Sequence, residues 1–443
     1  MQAGQIIEMK TNFIAFVARA KGPSVLLKRA CSIARRYGFT PAKMDQALHL
    51  FVQTLGQFNC GASLPLTAVT LKRNSDAITK YLDQDIEFVV HGYTHIDYTQ
   101  LTPQEQLAHL DRAREAFAAA GVKAVGFRSP YLRCDSHLYA AIEAAGFSYV
   151  SNQPIMWDVL DADALAPSTY DGYERAIAFY DPWRASERLS LPQLCNQRVE
   201  IPVSLPDDEM LLDRLSGDET NSLVEKTWRR ILSETYQRGE LFTIQLHPER
   251  IVRCVDGLSA VLAEAHRLTP SVWLARLDEI AAWWRARAGA NVEITDAGDG
   301  EFHLVVAGPS GTTVLTRGVE VDASTVPWAD GYQQVEATTI TIRAAHRPFI
   351  GLSPVTSPKL ADFLRQQGYI FEIGHESHRY SCYFDQMEFC AEQERPLLAQ
   401  IEGTDRPLVR LGRWPSGARS ALAITGDIDA LTLWDYGLRL FGR

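Results

Sequence analysis

From Thr40 to Ala288 short apolar runs alternate with stretches of helical period, and no other feature of the chain restricts its fold so strongly. Thr40-Pro41 offers a side-chain cap followed by Pro at the first helical position, and Met44, Leu48, Phe51, Val52 and Leu55 then recur at helical spacing. Leu64 to Val69 reads as a strand, residues 74–82 as a helix, and Ile86-Glu87-Phe88-Val89-Val90 as a second, buried strand. Thr102-Pro103-Gln104-Glu105 has the form of a capping box; it opens a helix that turns Leu107, Leu110 and Phe117 inward and stops at Gly121. Further strands are expected over 122–127, 147–151, 200–203 and 241–245, and helices over 136–145, 223–236, 258–267 and 271–288. Residues 11–20 look like a short buried element and 23–37 like a basic amphipathic stretch. Residues 159–199 carry aromatics without a clean period and read as a long loop over the mouth of the fold. Strand and helix in alternation are the pattern of a parallel α/β barrel or sheet.

After Gly289 the pattern changes. Short runs rich in Val, Ile and Thr, over 292–295, 302–306, 312–316 and 338–343, are separated by Gly, Asp and Pro and predict a small antiparallel β module. A helix over 358–367, a strand over 369–373 and a helix over 386–402 follow. The tail then returns to an apolar strand, Ala421-Leu422-Ala423-Ile424, and runs on through Thr425-Gly426-Asp427-Ile428-Asp429-Ala430.

Chemistry gathers at the ends of these strands. His91-Gly92-Tyr93-Thr94-His95 leaves the carboxyl end of the Ile86 strand, where sites in α/β proteins collect, and two imidazoles three residues apart converge on one ion if the turn is tight. The plainer alternative is a chance pair in which one His caps the strand. Arg128-Ser129-Pro130-Tyr131 follows the next strand in the same way. Asp427 and Asp429, two residues apart after a strand, supply an oxygen ligand with a free base beside it, or else an acidic turn capping a helix over 431–440. His375 and His378 have no third ligand nearby and read as surface loop, and Trp273 and Trp284 fall at helical spacing that suits packing better than sugar binding.

Composition narrows the partners. The 443 residues, 46% hydrophobic and 22% charged, are enough for two or three domains with a real core, and a net charge of −10 argues against a phosphate-backbone partner. The seven Cys are odd in number and scattered without a Cys-x-x-Cys pair, so neither a disulfide framework nor a thiolate zinc site is suggested. Met1 to Lys10 lacks the apolar core of a signal peptide, and no run approaches the roughly 18 apolar residues of a membrane span. A cytoplasmic protein with no integral membrane segment and no nucleic-acid partner is expected.

Together these stretches resemble the polysaccharide deacetylases of the NodB-homology type, carbohydrate esterase family 4. His91-x-x-x-His95 is similar to that family's metal-binding pair, Arg128-Ser129-Pro130-Tyr131 to its Arg-x-Pro-Tyr motif, and Leu246-His247 to its late Leu-His motif; Trp157-Asp158 is a loose counterpart of its Asp and Trp pair. The family's opening Thr-x-Asp-x-Asp turn is missing before the helix at Met44 and stands instead at Thr425 to Asp429. The resemblance therefore implies a distorted (β/α) barrel, circularly permuted, with its main part over 1–288, an inserted β-rich module over 289–402, and a strand and helix over 403–443 completing it. Termini that lie close together make such a rearrangement physically cheap. A rival reading pairs the tail with a second copy of the chain, in a homodimer.

The same resemblance implies that Asp429, His91 and His95 hold one divalent metal, by preference zinc, and that Asp427 takes a proton from the attacking water while Arg128 orients it. A backbone N–H at Tyr131 would face the oxyanion, His247 would protonate the departing amine, and Pro130, Leu246 and Trp157 would contact the substrate, an N-acetylated carbohydrate. An amide hydrolase of the same fold acting on a small non-sugar amide, and a non-catalytic glycan-binding protein using the β module, are the alternatives.

Overall fold

The computed structural model describes residues 33–160, 167–215 and 220–439. The buried element expected over 11–20, and most of the amphipathic stretch over 23–37, lie outside them.

A curled sheet of nine strands organises the chain: in spatial order Leu241–Leu246, Ser420–Gly426, Ala62–Leu66, Ile86–Val90, Gly126–Phe127, Tyr149–Val150, Arg198–Glu200 and Gln193–Cys195, with Val272–Leu274 also on Ser420–Gly426. All neighbours are parallel except the final hairpin, Gln193–Cys195 with Arg198–Glu200. Helices such as Ala42–Gly56, Pro103–Ala119, Ser136–Ala144, Thr220–Arg238 and Ile251–Ala265 alternate with the strands, which is an α/β barrel architecture. Parallel strands covered on both faces read as unbroken apolar runs, and every residue of Ile86–Val90 and Ser420–Gly426 is buried.

The strand from the far end of the chain is buried along its whole length and lies inside the sheet. It pairs with Leu241–Leu246 over six registers, Leu241↔Ala421 to Leu246↔Gly426, and meets the first strand at Ser63↔Thr425. Successive side chains leave a strand on opposite faces, so Leu422 and Ile424 join the core under the helices while Ala421 and Ala423 join a second core around Trp284 and Trp414.

The β module begins at Asn291 and contains two four-stranded antiparallel sheets. One difference from the sequence reading is a third, parallel sheet, Phe371–Ile373, Arg347–Leu352 and Tyr380–Phe384, with the helix Pro358–Gln367. A second is the boundary: Leu408–Leu411 pairs antiparallel with Val314–Arg317, so the module holds the chain to Leu411, beyond the expected 402. His375 and His378 are exposed beside a 3-10 turn.

Other local expectations change as well: the helix expected over 386–402 starts at Glu394, that over 258–267 spans Ile251–Ala265, and the strand over 200–203 divides into Arg198–Glu200 and Val203–Leu205. Residues 167–180 form a helix, where a loop was expected; Tyr170, Tyr173, Ile177 and Tyr180 carry the helical period in aromatic residues. Val272–Leu274 is a strand and the helix starts only at Leu277, because this β-prone triplet finds an edge on Ser420–Gly426; Trp273 packs there against Trp283 and Trp414. The helix at Ala42 has Pro41 at its cap without a side-chain hydrogen bond, so Thr40 does not cap it, whereas the Thr102–Glu105 capping box is complete. Among the described residues no helix is long and apolar enough to cross a membrane.

Since Ile424 is fully buried in the central strand, Ile424→Ala should lower stability by about 2–5 kcal/mol. Val326→Ala, at a half-exposed position of the module, should stay within about 0.5 kcal/mol. Denaturant unfolding of both variants checks the contrast.

Candidate active site

Three loops deliver the polar groups, and each is held by backbone geometry. Gly92 sits at φ +80°, where a Cβ would come within 2.8 Å of the Tyr98 ring, so the turn between the two imidazoles requires glycine. His91 N–H donates to Leu66 O, and the turn's carbonyls at Gly92 and Tyr93 accept from Ala68 and Val69. The Arg128 loop is tied by Ser129 N–H to Asn152 Oδ1 at 2.7 Å, and puts Tyr131 at φ 63° with its ring edge-on to His95 at 4.6 Å. The third loop leaves the end of Ser420–Gly426, where Asp427 N–H donates to Leu246 O at 2.9 Å and Ile428 N–H to Pro65 O at 2.7 Å.

At their meeting point one ligand atom each from His91, His95 and Asp429 lies within 4.8 Å of the others, and all three residues are buried. Asp429 Oδ1 stands 3.5 Å from His91 Nε2 and 3.2 Å from His95 Nε2, yet has no hydrogen-bond partner. Ligands at about 2.0–2.1 Å from a tetrahedral ion stand about 3.4 Å apart, so an orphaned oxygen between two imidazole nitrogens fits a divalent cation. His91 Nδ1 lies 2.9 Å from Arg128 O; a carbonyl only accepts, so Nδ1 carries the hydrogen and Nε2 keeps its lone pair. Burial, then the Arg439 charge, push His95 down to about 4, which keeps it neutral as a ligand must be. Burial favours the neutral form of Asp429, but Arg439 and His95 outweigh it and hold the carboxyl well below the usual range. These donors would hold a borderline metal such as zinc.

Asp427 stands beside this group and is bonded differently. Its Oδ1 accepts from Arg128 Nη1 at 2.9 Å and its Oδ2 from Gln245 Nε2 at 3.1 Å, with Oδ2 4.0 Å from His91 Nε2. Arg128 is wholly buried and bonds in addition to Thr425 Oγ1, Ser151 O and Ser151 Oγ, so it cannot turn away from Asp427. The structure thus brings Asp427, Arg128, Asp429, His91, His95 and Tyr131 together, all from one chain.

His247 ends the neighbouring strand and belongs to a second acid–base pair that the sequence reading missed. Its Nδ1 is 2.8 Å from Asp208 Oδ1 and its backbone N–H donates to Asp208 Oδ2 at 3.0 Å. Burial disfavours the imidazolium, but Asp208 more than compensates and raises His247 well above its ordinary value; Asp429 acts in the same sense. Against the same burial, His247 and Arg250 hold Asp208 low, while burial and the Asp208 charge push neighbouring Asp207 up to about 7. Asp207 and Asp208 follow the strand Val203–Leu205, the strand-end signal that drew attention to Asp427 and Asp429.

The residues assigned to substrate contact from the sequence lie in different surroundings. Leu246 and Pro130 are buried next to Asp427 and Tyr131 in the chain pairing, Leu246 opposite Gly426. Trp157 is 1% exposed, its ring faces the Arg238 guanidinium at 5.2 Å, and its backbone N–H donates to Leu205 O. None of these contacts reaches the His and Asp group, because the core claims the indole. Asp158 is exposed and pairs with Arg184 at 2.7 Å, so Asp208, not Asp158, is the acidic partner here.

Comparison with known proteins bears on the same stretch. Residues 44–150 match the family model described as polysaccharide deacetylase, which bears out the resemblance read from the sequence. The chain is similar to the peptidoglycan deacetylase-like protein FGM2 of Gibberella zeae, at 28% identity over 207 residues, 41% of this chain and 59% of that protein. The chain thus spans about three fifths of that relative's length. Among solved structures, a candidate polysaccharide deacetylase from Mycobacterium smegmatis aligns at 21% identity and a TM-score of 0.42, over 55% of this chain and 77% of that one. The Puue allantoinase aligns at 18% and 0.42, over 54% and 72%.

With the Asp208 carboxylate gone, burial should govern His247. Asp208→Asn is expected to move the His247 titration to lower pH, since the charged imidazole loses the partner that stabilises it and the neutral form does not. A nitrogen-detected NMR titration of the ring reads this directly; an unmoved midpoint would contradict the pairing.

Proposed function

We propose that this chain is a metal-dependent amide hydrolase that removes N-acetyl groups from an amino sugar or a polysaccharide precursor. The observation that carries the reading is the convergence of His91, His95 and Asp429 beside the Arg128–Asp427 pair. The family match over residues 44–150 supports the reaction class. The position of Ser420–Gly426 between Leu241–Leu246 and Ala62–Leu66 supports a circular permutation in which the opening strand and its acidic turn come last, with the β module inserted. The ligand set closes within one chain and needs no exchange with a second copy.

His91, His95 and Asp429 would hold a divalent cation, which would supply Lewis acidity when bound. Asp427 accepts a proton from the attacking water as the water oxygen bonds to the acetyl carbon; Arg128 and Gln245 hold the carboxylate in place by their hydrogen bonds. The Tyr131 backbone, held in a left-handed turn, offers its N–H to the developing oxyanion. His247, kept protonated by Asp208, gives its proton to the nitrogen as the carbon–nitrogen bond breaks, so that a free amine leaves with acetate. The two carboxylates nearest the chemistry thus have separate duties, and the acid is drawn from a fourth loop, after Leu241–Leu246.

Acetate release from a panel of N-acetylated sugars and small non-sugar amides, with metal content measured on the same preparation, tests the assignment. Replacing His91, His95 or Asp429 by Ala should lower metal content and turnover together, because each removes one of only three protein ligands. Asp427→Asn and His247→Ala should keep the metal and lose about 10²–10⁴-fold in turnover. Since Asp208 raises His247, the alkaline limb of the rate profile should lie above the ordinary histidine range. A fully metal-loaded His91→Ala protein would reject the ligand set.

A further inference from the structure

One strong contact at the site comes from a residue that the reaction scheme does not use. Arg439, in the last turn of the helix Leu433–Arg439, places Nη1 2.5 Å from Asp429 Oδ2, while Oδ1 of the same carboxylate faces the two imidazole nitrogens. The guanidinium also lies over the Tyr436 ring at 5.7 Å, so it is held from two sides. Ligand and cation are ten residues apart on one short segment, joined by a helix whose start is set by Thr432 Oγ1 bonds to Asp435.

We propose that Arg439 is a positioning residue that reserves Asp429 Oδ2, so that this carboxylate ligates the metal through Oδ1 alone. This inference rests on the metal site proposed above. A carboxylate with both oxygens free can swing to grip an ion through both, which would take a position that the water or the amide oxygen needs. A planar guanidinium donating to one oxygen prevents the swing without neutralising the ligand.

Cobalt(II) alone, loaded into the metal-free full-length protein, tests this, because its visible absorption weakens as coordination number rises. In Arg439→Ala the band should lose intensity as Asp429 takes up a second contact, and turnover should fall about 10–100-fold. Arg439→Lys, which still donates to Oδ2, should keep the band. If Arg439→Ala does not fold, Arg439→Gln, with a similar stem and no charge, is read in the same way. Identical cobalt spectra in the wild type and the uncharged variant would overturn the inference while leaving the metal site standing. A wild-type protein that takes up no cobalt would overturn both.

Discussion

A carboxylate buried in a protein interior is held ionised by an opposite charge beside it, and Asp429 has one in Arg439. His91 and His95 nitrogens face Oδ1 at 3.5 and 3.2 Å, and Arg439 faces Oδ2. This arrangement needs the strand Ser420–Gly426 to sit between Leu241–Leu246 and Ala62–Leu66, since only there does its exit point toward the Gly92 turn. The burial of Leu422 and Ile424 on one face and Ala421 and Ala423 on the other holds the strand in register. Core packing and site geometry are therefore one constraint.

The electrostatics then divide the labour. Burial acts on every group in the site, and what differs is the neighbour that opposes it. Arg439 keeps Asp429 an anion and helps drive His95 to its neutral form, as ligands require. Asp208 does the reverse for His247, holding a proton on a buried imidazole that would otherwise lose it. Asp207, next in the chain, is pushed up to about 7 by burial and the Asp208 and Glu209 charges, which outweigh His247. Pairs of groups driven apart in this way are what acid and base steps at one site require.

The β module has a mechanical relation to this centre. Its strand Leu408–Leu411 hands the chain to Trp414, whose ring lies 5.4 Å from Trp284 and whose N–H bonds Gly239 O. From there five residues lead into Ser420. The module thus anchors the segment that enters the middle of the barrel, and the tryptophans at this junction pack against one another instead of forming an exposed face.

Local sequence determined a good deal by itself. Ile86–Val90, the Thr102 capping box, the glycine turn between His91 and His95 and the strand before Asp427 were all legible, because each depends on neighbours within a few residues. Aromatic residues at helical spacing hid the helix over 167–180, and a β-prone triplet next to a helical pattern hid the strand Val272–Leu274, since what decided it was an open edge on a strand almost 150 residues further along. Asp208 and Arg439 could not be assigned from sequence: an acidic pair after a short strand, or an arginine in a last helical turn, acquires a role only from what stands opposite. The residue types and their places at strand ends were written locally; which carboxylate meets which imidazole was settled by strand order, a non-local property that backbone pairing and burial impose on the whole chain at once.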